Sequence, residues 1–253
     1  MNFDDFDKEM RQFEESLDQR ILPDMYLVTR LDGRAFTKLT AKEQFQKPFD
    51  ERFRNLMQET VEHLMKESGF RIVYGYTESD EISLLFHPEE DSFGRKVRKI
   101  NTTLAGEASA FFSMKLGKIA TFDCRIVPLP NLARVEDYFS WRCEDAHRNS
   151  LNTWCYWTLR KSGVTAHKAS SILHGQGVAF KNELLFTHGI NFNDLPSWQK
   201  RGIGMQFCEV EKEGFNPITR EKVTTKRNVL RIDYELPLGE AYREYIRTII
   251  ARC

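Results

Sequence analysis

Long apolar runs are missing from this chain, and no stretch approaches the roughly 20 residues of a membrane-spanning helix. The amino terminus, MNFDDFDKEM, is acidic and has no apolar core, so a secretory signal peptide is not expected. Charge of one sign is also missing. Lys plus Arg and Asp plus Glu both number 37, so any contact with nucleic acid must come from a local basic patch. Cysteine is sparse and scattered. The five are Cys124, Cys143, Cys155, Cys208 and Cys253, an odd number with no CxxC pair, which points to reduced thiols in a cytoplasm rather than a disulfide framework. There is no internal repeat and no low-complexity tract.

What remains is a chain of 253 residues with 41% hydrophobic and 29% charged content, ordinary for a globular protein with a real core. Phe3, Phe6, Met10, Phe13 and Leu17 recur at helical spacing, which predicts a short amphipathic helix that packs on the body. Pro23 ends it. MYLVTRLDGRAF then reads as a buried strand running into Asp32-Gly33. A polar connection through Lys47-Pro48 leads to a helix over 49–68, whose Phe53, Leu56, Met57, Val61 and Leu64 form one stripe. Residues 70–87 read as a hairpin around Thr77-Glu78-Ser79-Asp80. A second helix over 96–116 stops at Gly117, and a strand over 119–127 is ended by Pro128 and Pro130.

The order β-α-β-β-α-β is the split βαβ, ferredoxin-like arrangement. The fold class expected is α+β, a palm-like core over 1–130 with an extension over 131–253 packed on it. The extension carries helices over 132–161 and 166–173, a loop-rich stretch over 174–204, strands over 203–210 and 228–235 joined by a polar excursion, and a closing helix.

That topology has a geometric consequence. Strands 1 and 3 are central antiparallel neighbours, so Asp32 at the end of the first meets Asp80 and Glu81 at the start of the third. Carboxylates converging from two strand ends suit a pair of Mg²⁺ ions, one activating an attacking oxygen and one neutralising a triphosphate. The plainer alternative is a turn cap at Asp32 and a solvated hairpin tip at Ser79 to Glu81. Basic residues stand nearby in the chain: Arg34, Lys47, and Arg95, Lys96, Arg98 and Lys99 at the start of the second helix, either a phosphate-binding set or a solvated face. Cys143 and His147 sit i,i+4 on the long helix, but without a second Cys/His pair a polar, ligand-contacting face is the better reading than a structural zinc.

RLDGRAF, FQKPFDERF, SDEISLLF, YFSWRCEDAHRNSLNTWCYW, FKNELLF and GINFNDLPSWQKRG occur in the order seen in the tRNA-His guanylyltransferase family, and the chain resembles that family over nearly its whole length. The resemblance implies a polymerase-like palm, a homotetramer, and 3′-to-5′ addition of nucleotides to a tRNA 5′ end with GTP and ATP as substrates. It implies that Asp32, Gly33 (through its carbonyl) and Asp80 ligate two Mg²⁺ ions, with Glu81 beside them as a third catalytic acid. It places nucleotide-binding positions at Asp32, Gly33, Arg34, Ala35, Phe36, Thr37, Ser79 and Asp80, with Lys47 and Lys99 near the phosphates. His147, Asn149, Lys181 and Asn182 are candidates for tRNA or a second nucleotide. One block departs: the eukaryotic enzymes carry His-Ile-Asn-Asn-Leu-Tyr-Asn where this chain has His147-Arg148-Asn149-Ser150-Leu151-Asn152-Thr153. That is similar to the bacterial or archaeal like-proteins, and shifts the expected task toward template-directed repair of tRNA 5′ ends. A palm-type nucleotide cyclase and a non-catalytic RNA-binding module are the competing readings.

Overall fold

The computed structural model describes residues 2–215 and 222–253. Six strands form one antiparallel sheet: β1 (Tyr26–Gly33), β2 (Ile72–Glu78), β3 (Glu81–Phe86), β4 (Phe122–Leu129), β5 (Ile203–Phe215) and β6 (Lys222–Asp233), ordered β4-β1-β3-β2-β5-β6. The first four strands are in the ferredoxin-like order. The extension continues the same sheet by pairing β5 with β2, from Tyr74↔Gln206 to Thr77↔Ile203.

Side-chain alternation on β1 divides the molecule into layers. Leu27 and Leu31 face one side, where α3 (Glu51–Glu67) contributes Met57, Val61 and Leu64 and α4 (Val97–Leu116) contributes Ile100, Leu104 and Phe112. Val28 faces the other side, against Val135, Phe139 and Cys143 of α5 (Leu132–Lys161) and Tyr242 and Ile246 of α9 (Glu240–Ile250). Arg30 and Asp32 share this second face by strand period. They are therefore presented to α5. Close packing of helix on sheet fixes the glycine at position 75, where an added Cβ would lie 2.5 Å from Val61 Cγ1.

Four expectations change. The amino-terminal helix α1 (Phe3–Glu15) forms, capped by Asn2, but buries none of its residues; Phe3, Phe6, Met10, Phe13 and Leu17 are all exposed. An apolar stripe specifies a helix without specifying a surface that covers it. The connection after Gly33 contains a short helix, α2 (Phe36–Lys42). The stretch 174–204 is not loop-rich: it holds α7 (Val178–Thr187), a 3₁₀ turn (Phe192–Asp194) and α8 (Ser197–Arg201) after α6 (Ala166–Leu173). In α7 only Leu185 is buried, so there is no stripe to read, and flanking glycines mimic loop punctuation. Finally, β5 and β6 run well beyond the strand lengths expected; the middle of the polar excursion, 216–221, lies outside the described residues.

The carboxy-terminal half of α5 leaves the sheet and packs with α6 and α7 in a separate small core of Leu151, Cys155, Leu159, Leu173 and Leu185. All five cysteines are free thiols. Among the described residues no helix is long and apolar enough to cross a membrane.

Candidate active site

Asp32 and Asp80 come together because β1 and β3 are paired in register. Asp32 lies opposite Glu81. The tight turn between β2 and β3 then places Asp80 one residue further, where its carbonyl accepts a hydrogen bond from the Gly33 N–H at 3.0 Å. Ser79 takes φ of 52° to make this turn, a left-handed conformation in which a non-glycine residue is uncommon and which often marks functional sites. On the other side, Ala35 holds φ of 61° as the N-cap of α2, and an alanine Cβ at position 33 would lie 2.6 Å from the Phe36 ring. The backbone between β1 and α2 is thus shaped by residues 33–36, and Phe36 closes down over Gly33.

The three acids behave differently. Glu81 is fully engaged: Arg142 Nε and Nη2 donate to its two oxygens at 2.6 and 2.8 Å, and Arg30 Nη2 is 2.7 Å from Oε2. The Glu81 and Arg142 side chains are only 9% and 7% exposed. Burial pushes the Glu81 carboxyl up from its ordinary value and the two guanidiniums pull against it; with three such short contacts the group is an ion-paired carboxylate. Asp32 is 38% exposed and has one long contact, Arg30 Nη2 at 3.3 Å. Asp80 accepts at 3.2 Å from the Ser79 hydroxyl, and its carboxyl is raised by burial and by the negative charge of Asp32. Glu78, across the turn, is pushed up to about 8 by burial and by Glu81 and Asp80. The result is two under-neutralised carboxylates at the end of the sheet and one that is locked.

These residues line a cleft of about 730 Å³ between α2, α3, the β2–β3 turn and α5. Lys47 enters it from the chain before α3. Its Nζ donates to Thr40 Oγ1 at 2.8 Å, and burial lowers its pKa while Asp50 and Asp80 oppose the shift. Asp50 caps α3, accepting from the Arg52 N–H at 2.7 Å and the Gln46 N–H at 2.6 Å. The cleft's far wall is aromatic, with Phe45, Phe49, Phe53, Trp157 and Trp198; Arg54 lies 4.7 Å from the Trp198 ring. A carboxylate end, a lysine and an aromatic wall are the parts a nucleoside triphosphate needs at its metal, phosphate and base ends.

Of the residues read from the sequence, Asp32, Phe36, Thr37, Lys47, Ser79, Asp80, Glu81 and Asn149 line this cleft. Gly33 and Ala35 shape its backbone. Arg34, Lys99, His147, Lys181 and Asn182 are not among its lining residues. Three of the four basic residues opening α4 are spent elsewhere: Asp18 takes Lys96 at 2.6 Å and Arg98 at 2.5 Å, and Arg95 donates to the Met25 carbonyl. His147 packs edge-on against Phe192. Sequence reasoning missed Arg30 and Arg142 as the partners of Glu81. Arg30 carried a usable signal, since strand period puts it on the face of Asp32. Arg142, Asp145 and Asn149 carried another, at i, i+3 and i+7 on α5; Asp145 accepts from both Arg142 and Asn149.

A hard divalent cation fits this donor set. Asp32 and Asp80 offer carboxylate oxygens, and neither histidine nor cysteine lines the cleft. Among the described residues there is no cluster of three or more His, Cys, Asp and Glu side chains that could cage a metal alone. One or two carboxylates completed by carbonyl, water and phosphate oxygens is how Mg²⁺ is held beside a nucleotide.

Comparison with known proteins agrees with this chemistry. The family model described as tRNAHis guanylyltransferase matches residues 7–130, and that of its C-terminal domain matches residues 133–234. A probable tRNA(His) guanylyltransferase of Drosophila melanogaster is 36% identical over 204 residues, 76% of this chain and 70% of that protein. The Schizosaccharomyces pombe enzyme is 37% identical over 198 residues, 74% and 75% of the two chains.

The chain belongs to the tRNA(His) guanylyltransferase family.

It is a nucleotidyltransferase by that membership. Among solved structures of the family, the Saccharomyces cerevisiae enzyme superposes with a TM-score of 0.72 at 31% identity, covering 78% of this chain and 91% of its own. A bacterial guanylyltransferase-like protein in complex with ATP superposes with a TM-score of 0.77 at 27% identity, covering 97% and 99%. The same kind of protein in complex with GTP gives 0.73 at 26%.

Proposed function

We propose that this enzyme adds nucleotides in the 3′-to-5′ direction to the 5′ end of tRNA, with ATP and GTP as substrates and Mg²⁺ bound by Asp32, Asp80 and the Gly33 carbonyl. The observation that carries the reading is the junction of β1 and β3, where the Gly33 N–H to Asp80 C=O bond puts two under-neutralised carboxylates at the mouth of a nucleotide-sized cleft. When bound, the cations supply charge neutralisation and a more nucleophilic hydroxyl oxygen for in-line phosphoryl transfer.

The chain's own residues do the rest. A 5′-monophosphate oxygen attacks the α-phosphorus of ATP and releases pyrophosphate. The 3′-hydroxyl of the incoming nucleotide then attacks the activated 5′ phosphorus and releases AMP, and water cleaves pyrophosphate from the new 5′-triphosphate to leave a 5′-monophosphate. Lys47 faces the phosphates, Ser79 orients Asp80, and the aromatic wall takes the base. Glu81 serves by holding Arg30 and Arg142, so its catalytic part is positional rather than ligating. His147, Lys181, Asn182, Arg34 and Lys99, away from the cleft lining, are left to contacts with RNA outside it.

Template-directed repair is favoured over obligate guanosine addition to tRNA-His. It rests on the departure at residues 148–153 and on the nearly full-length overlap with the bacterial like-protein. We further read the chain as a cytoplasmic homotetramer whose two segments form one continuous unit across the β2–β5 pairing. Incubating the enzyme with labelled GTP and tRNA lacking one 5′ nucleotide should place label on the RNA, and more of it than full-length tRNA-His receives. Label in a cyclic nucleotide, with none on RNA, would overturn the proposal in favour of a palm-type cyclase.

A further inference from the structure

Behind the aromatic wall of the cleft lies a second cavity of about 340 Å³, within the range of small-ligand sites. Its floor is apolar and aromatic, formed by Pro48, Trp154 and Ile190; Thr158, Lys161 and His188 stand around it. No acidic residue lines it. Lys161 has no acidic partner within 4.0 Å among the described residues, unlike Lys96 and Arg98 at the start of α4, which both pair with Asp18. His188 is held in one orientation by the carbonyl of Leu184, 2.9 Å from its Nδ1. A carbonyl can only accept, so Nδ1 carries the proton and Nε2 is the ring's remaining polar atom.

The cavity adjoins the active-site cleft. Pro48 lines both spaces. Phe49, on the cleft side, lies 6.3 Å from Trp154 with the rings inclined by 34°, and 5.9 Å from Trp198 edge-on. An aromatic and apolar floor with a lone cation at its rim suits a single stacked base and its phosphate, the pattern of single-strand nucleic-acid binding.

We infer that this second cavity binds an unpaired nucleotide of the RNA substrate, from the 3′ end that lies beside the 5′ end in a tRNA acceptor stem. The inference rests on the 5′-end reading of the neighbouring cleft: a 5′ terminus held at Asp32 and Asp80 brings the adjoining unpaired 3′ strand over Pro48 and Trp154. The cavity would then hold the acceptor end in register while the 5′ end reacts, and it would distinguish RNA carrying a 3′ overhang from blunt duplex.

The test is fluorescence-anisotropy binding of two labelled RNA hairpins to the full chain, one with an unpaired 3′ end and one blunt. The wild type should bind the overhang hairpin about tenfold more tightly. Lys161→Ala, and independently His188→Ala, should reduce that preference to about twofold while changing blunt binding little; both positions are exposed, so the fold is kept. Equal binding of the two hairpins by wild type, or a preference untouched by both variants, would overturn the inference. So would AMP binding alone as tightly as the overhang hairpin in a Lys161-dependent way, since the cavity would then serve free nucleotides. The binding assay needs no turnover, so a protein that shows the preference but adds no nucleotide would refute the reaction and keep this site.

Discussion

The two halves of the chain build one cleft by different means. The first half, through β4, supplies acids from backbone order alone: strand pairing puts Asp32 opposite Glu81, and the turn adds Asp80. The second half, beginning with α5, supplies the second guanidinium that locks one of them, beside Arg30 of β1. Arg142 locks Glu81, while Asp145 ties Arg142 to Asn149 on the same helix face. A palm without α5 would leave Glu81 to Arg30 alone. With α5 it presents two open to a cation and one neutralised.

The sharpest way to break that contrast is at the open pair. Asp32→Ala should reduce nucleotide addition to RNA by at least about 1,000-fold, with a melting temperature within about 2 °C of wild type, because Asp32 makes one long contact and its removal relieves repulsion at Asp80. Single-turnover assays and thermal melts on the same preparation would show a large stability loss if Asp32 were instead structural.

Arg142→Leu strikes the locked acid and should cost stability before chemistry. Removing Arg142 takes both of its hydrogen bonds from the buried Glu81 and leaves Arg30 as its remaining ion-pair partner, a loss of up to about 3–5 kcal/mol in urea denaturation. Combining it with Glu81→Leu should recover part of the loss; no recovery would mean that the two do not act as a pair.

Asp50, which caps α3 at the cleft entrance, gives a smaller effect. Asp50→Ala should destabilise by about 1 kcal/mol. Burial works to raise this carboxyl, but hydrogen bonds from Arg52 and from the Gln46 and Arg52 N–H groups outweigh it and hold it at about 2. A folded value below the unfolded one stabilises above the ordinary carboxylate range and is lost as the pH falls toward about 2. Urea midpoints across that window should fall less steeply in the variant than in wild type.

The smallest effect belongs to α1. Deleting residues 2–16 should change the stability of the isolated chain by less than about 0.5 kcal/mol, since none of α1 is buried. A larger drop in calorimetry would show that its apolar face is covered.

The sequence was most legible where a pattern is local and repeated. The apolar strand running into Asp32-Gly33, the helical stripes over 49–68 and 96–116, and the turn at Ser79-Asp80 were enough to derive the sheet order and hence the meeting of Asp32 with Asp80. Helix α5 was bounded correctly at both ends, with Asn131 as cap. Legibility failed where the deciding partner is distant. Nothing local to Glu81 shows that Arg142 will reach it, and nothing in the RKVRK run shows that Asp18 will absorb two of its charges. Helices α7 and α8 were missed because a helix that buries one or two residues leaves no period to read. The stripe of α1 was read correctly as a helix and wrongly as packed.

The division of the acids is best tested by counting bound ions. Titrating Mn²⁺ into the enzyme with GTP present, followed by the loss of the free-ion electron paramagnetic resonance signal, should give about two equivalents for wild type. Asp80→Ala, folded by circular dichroism, should retain fewer and bind them more weakly. An unchanged stoichiometry and affinity in Asp80→Ala would contradict the assignment of Asp32 and Asp80 as the cation-binding pair.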